Sequence, residues 1–476
     1  MNRFGTTSAL LAAMVLAACS SDSTGPAAAP RAPARAASAI TGQYLVTFKG
    51  NGIPADFAAR VQGLGGTVLY SHAGVGFAAV SGLSDAAAAQ LGSSPSVADV
   101  GADEEIQADI GPSVEADMSD VIESQANPTT GLRYPFQWNM RQIHANQAWA
   151  AGKLGSPTIT VAILDTGLDY DIADLNGLVD LTRSVSFIPG DDAITATYFP
   201  SRHPVTDYNG HGTNVAQQVS SKAFALAGVT SRTTLIGVKV LGRTGSGPLS
   251  AILSGITWAA DHGANVANMS LGGGFARAGN GRYVSLINKT LSYAKQKGML
   301  VVVSAGNDAS NMDADGNLFR TYCGVVHVVC VSSVGPTTAT GNGDIPSYYT
   351  NFGRSAISVA APGGNAGSTL SAWPWGNDSV SWVWGYCSKT RLAGLTTAGV
   401  PVLTACTSGG RLTGYIGTSQ ASPHVAGLAA LIMAEYGTDP VQTKHRIEAS
   451  AIDLGQPGTD PYFGRGRIDV ARALGL

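Results

Sequence analysis

The chain has 476 residues and a net charge of −3. Charged residues make up only 13% of it and hydrophobic residues 44%, which excludes a disordered chain and argues against nucleic acid as a partner. The 60 glycines follow no fixed period, so a collagen-like fibre is also excluded. We therefore expect a globular protein of more than one domain.

The first 19 residues are typical of an export signal. Arg3 precedes an apolar run from Ala9 to Ala18 that is too short to span a bilayer. The run ends in Leu16-Ala17-Ala18-Cys19, which resembles a bacterial lipobox, and this resemblance implies lipidation of Cys19. The alternative is an ordinary signal peptide with a cysteine there by chance. Residues 20–41 are rich in Ser, Pro and Ala, and we predict a disordered tether.

Four further cysteines allow three disulfide pairings, and an exported chain favours their oxidation. Pairing each cysteine with its neighbour in sequence closes the shortest loops, and we predict the disulfides Cys323–Cys330 and Cys387–Cys406. The chain has neither CxxC motifs nor Cys/His clusters, so its cysteines do not indicate a zinc site.

Residues 42–110 predict a small α+β domain. Strand-like runs and two amphipathic stretches alternate in the order β-α-β-β-α-β, which is typical of a ferredoxin-like fold. Ser84 is the predicted N-cap of the second helix. Residues 111–133 then form a linker rich in Pro, Ser, Asp and Asn.

Residues 134–476 predict a large α/β domain. Apolar runs of strand length alternate with helical stretches, which indicates a mainly parallel sheet covered by helices on both faces. The runs are Ile159–Leu164, Leu235–Leu241, Asn265–Met269 and Met299–Val303. Ligands of such sheets bind beyond the carboxyl ends of the strands, so polar residues there are candidates for function.

Four such residues carry useful chemistry, although each also has a purely structural interpretation. Asp165 and Asn307 are turn residues, His211 is one of eight histidines, and Ser419 begins an apolar helix where a serine is commonly an N-cap. Taken together, however, Asp165, His211 and Ser419 supply an orienting acid, a base and a nucleophile.

The surrounding motifs make the domain resemble the subtilisin-like serine proteases. The order Asp, His, Ser is also that of subtilisin. The matching stretches are Val161-Ala162-Ile163-Leu164-Asp165-Thr166-Gly167, Asn209-Gly210-His211-Gly212-Thr213, Ser270-Leu271-Gly272-Gly273, Ala305-Gly306-Asn307 and Gly417-Thr418-Ser419 with Pro423-His424-Val425-Ala426-Gly427.

This resemblance implies a subtilisin-like three-layer α/β/α fold and a role for each motif. Ser419 would attack a peptide carbonyl, His211 would take its proton, and Asp165 would orient the imidazole. Asn307 and the backbone N–H of Ser419 would stabilise the oxyanion. Two segments would hold the substrate as an added strand with broad specificity, namely Gly245-Ser246-Gly247 and Ser270-Leu271-Gly272.

The chain departs from the family pattern at several positions. Asn214 replaces the usual histidine, Gln217-Gln218 stand where a glycine is common, and Gln420 replaces a methionine. Asp174 matches a carboxylate that often binds calcium in the family, but the completing loop is not recognisable, so calcium stays unassigned. No other metal and no required cofactor are expected.

The stretch from Gly363 to Thr418 is longer than the family usually needs and carries four of the seven tryptophans. We call it the insertion. It is consistent either with a disulfide-braced loop that has its own small core or with a wall that faces the substrate.

The sequence therefore predicts a secreted serine endopeptidase that acts through an acyl-enzyme and is made as a self-processing zymogen. Its expected partners are polypeptide substrates and its own upstream domain, which resembles the family's inhibitory pro-segment and folding aid; nucleic acid is not expected, and the protein is predicted to be a monomer. Cleavage in residues 111–133 would leave the lipid at the cell envelope and release the catalytic domain. The alternatives are a surface-binding lipoprotein on a vestigial protease scaffold and a protease that cuts only its own pro-segment.

Overall fold

The computed structural model describes residues 38–50, 52–108, 110–116, 128–131, 134–319, 322–325, 327–337, 341–365, 382–390, 392–395, 401–403 and 412–476. The predicted signal peptide, Cys19 and most of the predicted tether lie outside these residues, as do Cys406, Trp373 and Trp375.

An antiparallel sheet with two helices forms the upstream domain, as the sequence predicts. Its strands stand in the order β2-β3-β1-β4, and Ser84 accepts a hydrogen bond from the Ala87 N–H at the start of its second helix. The elements are β1 (Ser38–Phe48), α1 (Phe57–Gly63), β2 (Thr67–His72), β3 (Phe77–Ser81), α2 (Asp85–Gly92), β4 (Val97–Gln107) and, beyond the domain, β5 (Ser113–Ala116).

Two boundaries differ from the prediction. Strand β1 begins at Ser38, inside the predicted tether, because Ser38 and Ala39 pair with Glu105 and Glu104 of β4. Strand β5 lies inside the predicted linker, and its alternation of polar and apolar residues, Ser113-Val114-Glu115-Ala116, is only four residues long. It pairs with a distant strand of the insertion.

A parallel sheet of seven strands organises the large domain. Its order is β15-β14-β12-β10-β6-β8-β7, with every pair parallel. The described strands of the large domain, including those outside this sheet, are β6 (Thr160–Asp165), β7 (Val185–Ser186), β8 (Thr234–Lys239), β9 (Ser246–Pro248), β10 (Val266–Met269), β11 (Phe275–Ala276), β12 (Leu300–Ser304), β13 (Leu318–Phe319), β14 (Val328–Val334), β15 (Val359–Pro362), β16 (Val383–Tyr386), β17 (Leu392–Leu395), β18 (Pro401–Leu403) and β19 (Leu412–Tyr415). The helices are α3 (Trp138–Gln142), α4 (Ala145–Ala150), α5 (Pro189–Tyr198), α6 (His211–Val219), α7 (Leu249–Asp261), α8 (Gly281–Gln296), α9 (Thr418–Tyr436), α10 (Pro440–Ser450) and α11 (Val470–Leu474).

Helices cover both faces of this sheet, which confirms the three-layer α/β/α prediction. Successive side chains of a strand point to opposite faces, and in β6 Val161 and Ile163 join one apolar core while Ala162 and Leu164 join the other. The first core contains α6 and α9, and the second contains α7 and α8. Among the described helices, none has both the length and the apolar character that crossing a bilayer requires.

The described cysteines agree with the predicted pairing as far as they test it. Cys323 and Cys330 form a disulfide. Cys387 is also disulfide-bonded, but its predicted partner Cys406 lies outside the described residues, so that pairing stays a prediction.

The upstream domain is docked on the large domain through strand pairing and one buried carboxylate. Strand β4 pairs with β9, with Ile106 opposite Gly247. Just before this pairing, Asp103 is fully buried and accepts hydrogen bonds from the N–H of Ser250, at the start of α7, and from the Gln43 side chain. Burial raises the pKa of the Asp103 carboxyl to about 6.

This shift predicts a pH-dependent stability that Asp103→Asn removes. The folded chain binds the carboxyl proton more tightly than the unfolded chain, so stability falls as pH rises from about 4 to about 6, by roughly 3 kcal/mol. Thermal unfolding should be measured on the full chain in a Ser419→Ala background, which guards against the self-processing that the sequence predicts, and it should show the parent losing stability relative to Asp103→Asn across this window. The exposed Asp56→Asn variant is the control, and a difference between parent and Asp103→Asn that does not change with pH would contradict the expectation.

Candidate active site

A buried hydrogen bond joins Asp165, the last residue of β6, to His211, the first residue of α6. The Nδ1 atom of His211 lies 2.8 Å from Oδ1 of Asp165, and both side chains are fully buried. The backbone N–H of Thr166 donates to the same carboxylate oxygen. Because a carboxylate only accepts, Nδ1 carries the proton, and this tautomer makes Nε2 the basic nitrogen.

The loop before α6 is held by Asp207, which the sequence analysis missed. Its carboxylate accepts hydrogen bonds from the Thr166 hydroxyl, the N–H groups of Asn209 and Gly210, and the N–H and hydroxyl of Thr213. It therefore ties the residue after Asp165 to the first turn of α6. A carboxylate shortly before a helix and followed by Gly and Thr is a helix-start signal that could have indicated this role.

A glycine after His211 permits the close approach of this loop to β6. A Cβ at Gly212 would lie 2.3 Å from the Gly167 carbonyl oxygen and 3.1 Å from the Asp165 Cβ. The Gly212 N–H donates to the Thr166 hydroxyl. Any larger residue would push the histidine away from the carboxylate.

Ser419 lies in the first turn of α9, as the sequence predicts. Its hydroxyl donates to the Ser270 carbonyl oxygen at 3.3 Å, and its own carbonyl accepts from the Ser270 hydroxyl at 2.7 Å. Helix α9 packs beside α6, where the Gln420 side chain donates to Asn214, three residues after His211. Only 4% of Ser419 is exposed, so this side chain is covered.

Asn307 is oriented by the residue before Ser419. Its side-chain oxygen accepts from both the N–H and the hydroxyl of Thr418, at 2.8 and 2.9 Å. The amide nitrogen therefore points away from Thr418, and it would lie 3.5 Å from a Cβ on Gly417. The amide is thus presented near the start of α9, where backbone N–H groups also point outward.

The other histidine of the motifs has a structural role. His424 is fully buried in α9, where its Nδ1 donates to the Gln420 carbonyl and its Nε2 accepts from Asn139. Burial lowers the pKa of His424 to about 4. It therefore stays neutral at physiological pH with both ring nitrogens bonded.

The two predicted substrate segments differ in what they contact. Gly245, Ser246 and Gly247 line the edge on which β4 lies, and the Gly245 carbonyl accepts from the N–H of Ala108. In the second segment Ser270 bonds to Ser419, Leu271 is buried in the core, and Gly272 leads into Gly273, which contacts Ile106.

Residues Ile110 to Pro112 of the upstream chain lie against β9 and against the residues that precede α9. The Ile110 side chain lies against Gly245. The backbone of Gly111 is so close to Ile416 that a Cβ on Gly111 would lie 1.9 Å from the Ile416 carbonyl oxygen. The Ile416 N–H then donates to the Pro112 carbonyl. The upstream chain thus enters along β9, crosses the site and leaves along β19.

The carboxylate of Asp174, which the sequence associates with calcium, is buried and accepts from the N–H groups of Ala225 and Leu226. Burial raises its pKa to about 7. Within the described ranges, no group of three or more His, Cys, Asp or Glu residues could hold a metal ion. Calcium binding stays unassigned.

Asp207→Asn should destabilise the protein, because an amide nitrogen cannot accept the hydrogen bonds made to one of the two carboxylate oxygens. We expect a loss of about 1–3 kcal/mol of unfolding free energy. Denaturant unfolding should detect it, and Asp171→Asn, which removes an exposed carboxylate paired with Arg202, is the control and should cost less than about 1 kcal/mol. Equal effects of the two variants would contradict the assigned role.

Comparison with known proteins identifies the family of the chain. The sequence profile of the Subtilase family matches residues 156–466. The chain is 30% identical over 342 residues to a thermophilic serine proteinase of Bacillus sp. strain AK1, covering 71% of this chain and 67% of that protein. It is 29% identical over 341 residues to thermitase of Thermoactinomyces vulgaris, covering 71% of this chain and 95% of thermitase.

The fold is similar to that of the epidermin leader peptide processing serine protease of Staphylococcus aureus. The TM-score is 0.67 at 22% identity, over 91% of this chain and 98% of that one. The family profile spans most of the large domain and includes Asp165, His211, Asn307 and Ser419. The chain belongs to the subtilase family and is a serine-type endopeptidase.

Proposed function

We propose that Asp165, His211 and Ser419 form the catalytic triad of an exported endopeptidase that is made as a self-processing zymogen. The observation that carries the proposal is the buried 2.8 Å hydrogen bond between Asp165 and His211, beside a helix that begins at the nucleophile. The Ser419 hydroxyl attacks the peptide carbonyl, His211 takes its proton and later gives it to the leaving amine, and Asp165 stabilises the imidazolium.

The oxyanion of the tetrahedral intermediate is stabilised by the Ser419 N–H and the Asn307 side-chain amide. The two bonds from Thr418 to the Asn307 oxygen support this role, because they fix the amide before substrate arrives. Donors that are already oriented need no reorganisation when charge develops.

Substrate is recognised mainly through its backbone. The pairing of β4 with β9 supports this proposal, because it shows an extended chain lying on Gly245, Ser246 and Gly247 as an added strand. Such pairing does not depend on side chains, so specificity is broad.

The upstream domain acts as the inhibitory pro-segment. Its own chain occupies the edge that a substrate would use, and Gly111 lies against Ile416 and Gly417, just before Ser419. Self-processing therefore cuts a bond within residues 108–112, which span the boundary between the predicted pro-segment (42–110) and the predicted linker (111–133). Because the lipid on Cys19 lies upstream of this bond, processing leaves the anchor on the pro-segment and releases a monomeric catalytic domain.

Ser419→Ala should abolish both substrate hydrolysis and self-processing. We expect kcat to fall by roughly a millionfold, the size of effect known for subtilisin, and the 48.5 kDa chain to accumulate uncut apart from signal-peptide removal. A fluorophosphonate probe should label the processed parent and Ser422→Ala but not Ser419→Ala. Labelling of the Ser419→Ala variant would refute this assignment, and a stable parent that is neither labelled nor active would favour the binding-lipoprotein alternative.

Cleavage of unrelated denatured proteins distinguishes a protease of broad specificity from one that cuts only its own pro-segment. We expect the processed chain to digest denatured casein at many sites, and mass spectrometry of the products gives the sequence preference. A processed, probe-reactive chain that leaves every such protein intact would contradict broad specificity.

The residue after the nucleophile predicts resistance to peroxide. Thioethers are oxidised to sulfoxides and amides are not, and Gln420 is fully buried against Asn214. Mild hydrogen peroxide should leave the parent active and inactivate Gln420→Met. Rapid loss in the parent that sulfoxide reductase reverses would contradict the prediction.

A further inference from the structure

The insertion supplies a β-strand edge that runs into the active site. Strand β19 lies in the middle of a small sheet of order β16-β19-β5, with β16 from the insertion on one side. On its other side it pairs antiparallel with the upstream chain, Tyr415 opposite Ser113 and Leu412 opposite Ala116. Four residues of the precursor are therefore held there through their backbone.

Three amide side chains of α6 fasten this sheet to the helix that begins with His211. Gln217 donates to the Tyr386 carbonyl at 2.9 Å and accepts from the Tyr386 N–H at 2.6 Å. Gln218 donates to the Trp384 carbonyl, and Asn214 donates to the Thr413 carbonyl. Asn214, Gln217 and Gln218 are three of the four positions at which the sequence departs from the family pattern. Their contacts with the insertion account for these departures.

Close packing makes the edge rigid. A Cβ on Gly385 would lie 2.5 Å from the Asn214 amide nitrogen, and one on Gly414 would lie 3.0 Å from the Trp384 ring. Trp382 and Trp384 are buried in an apolar cluster beneath the sheet. This cluster also contains Ala225, Leu226 and Tyr349 from outside the insertion, so the two tryptophans pack against the large domain and not in a core of the insertion's own. Strand β19 also faces the upstream chain.

The direction of the upstream chain determines which side of the cleaved bond lies on β9 and which lies on β19. Residues up to Ala108 lie on β9, whereas Pro112 and the residues after it lie on Ile416 and β19. A chain cut within residues 108–112 thus has its leaving-group side on β19. The Tyr415 ring lies edge-on to the His211 ring, 5.9 Å between centroids, so the edge continues directly into the catalytic residues.

We propose that β19 binds the residues on the leaving-group side of a polypeptide substrate as an added antiparallel strand. This inference rests on the proposed function and extends it. When the precursor strand leaves, β19 exposes unpaired N–H and C=O groups, which an extended chain satisfies whatever its side chains. The enzyme therefore selects substrates that continue for several extended residues beyond the cleaved bond.

The register gives a sharp test. Hydrogen-bonded and non-hydrogen-bonded pairs alternate in an antiparallel ladder. The bond from Ile416 to Pro112 marks that pair as hydrogen-bonded, so the next such pair is Val114 with Gly414. The N–H at position 114 points to β19, and the N–H at position 113 points away from it.

Two internally quenched peptides, which copy residues 104–112 and 104–116, should be compared as substrates of the processed chain. We expect kcat/KM of the longer peptide to exceed that of the shorter one by about tenfold or more, because backbone hydrogen bonds are added. An N-methyl group at residue 114 should abolish this gain, and one at residue 113, the matched control, should preserve it. Hydrolysis of a peptide anilide, which has no residue after the cleaved bond, reports the proposed function separately.

Equal rates for the two lengths, or equal losses from the two N-methyl groups, would overturn the proposal while the anilide is still hydrolysed. In the enzyme, Gln217→Ala should lower the ratio of long-peptide to short-peptide rates, because β16, the strand that pairs with β19, loses two hydrogen bonds to α6. The exposed Gln442→Ala control should leave the ratio unchanged. A ratio that Gln217→Ala does not alter would show that this anchor does not support the edge.

Discussion

The hydrogen bond between Asp165 and His211 depends on the parallel sheet more than on local sequence. A buried carboxylate is costly unless it is bonded, and the carboxyl end of β6 brings Asp165 against the start of α6, where the imidazole and the Thr166 N–H serve as partners. Asp207 and Gly212 then hold α6 at the distance that this bond needs. The two cores that cover β6 fix the strand, so the geometry of the site follows from the packing of the whole sheet.

In the proposed function, two strands outside the seven-stranded sheet explain how the site is silent in the precursor and active after processing. Strand β9 on one side and strand β19 on the other leave a path across Ser419, and the upstream chain follows this path from Glu105 to Ala116. Two residues of β4 secure the upstream domain beside it: Asp103 accepts a hydrogen bond from the N–H of Ser250 at the start of α7, and Ile106 packs in the second core. In the proposed function, inhibition and substrate binding are two uses of the same backbone pairing, and we propose that the insertion extends that pairing beyond the cleaved bond.

The sequence was most informative where structure is local or where motifs are dense. The apolar runs predicted β6, β8, β10 and β12 to within one or two residues, because buried parallel strands are continuous apolar segments. The motifs located Asp165 and His211, which the structure brings together, and Ser419 and Asn307 on neighbouring elements. The pairing of Cys323 with Cys330 followed from the shortness of its loop.

What the sequence could not predict depends on long-range contacts. Strand β5 alternates polar and apolar residues over only four positions, a signal too short to predict a strand, and it pairs along the edge of β19. Asn214, Gln217 and Gln218 stood out as departures, but their role appears only when the insertion lies against α6. The most direct test of the account is a crystal structure of the processed chain with a peptide boronate. We predict that boron is bonded to Ser419 Oγ and that His211 Nε2 is hydrogen-bonded to the boronate group. One boronate oxygen should lie about 3 Å from the Asn307 amide and from the Ser419 N–H. A boronate bonded elsewhere, or an oxygen turned away from Asn307, would contradict the account.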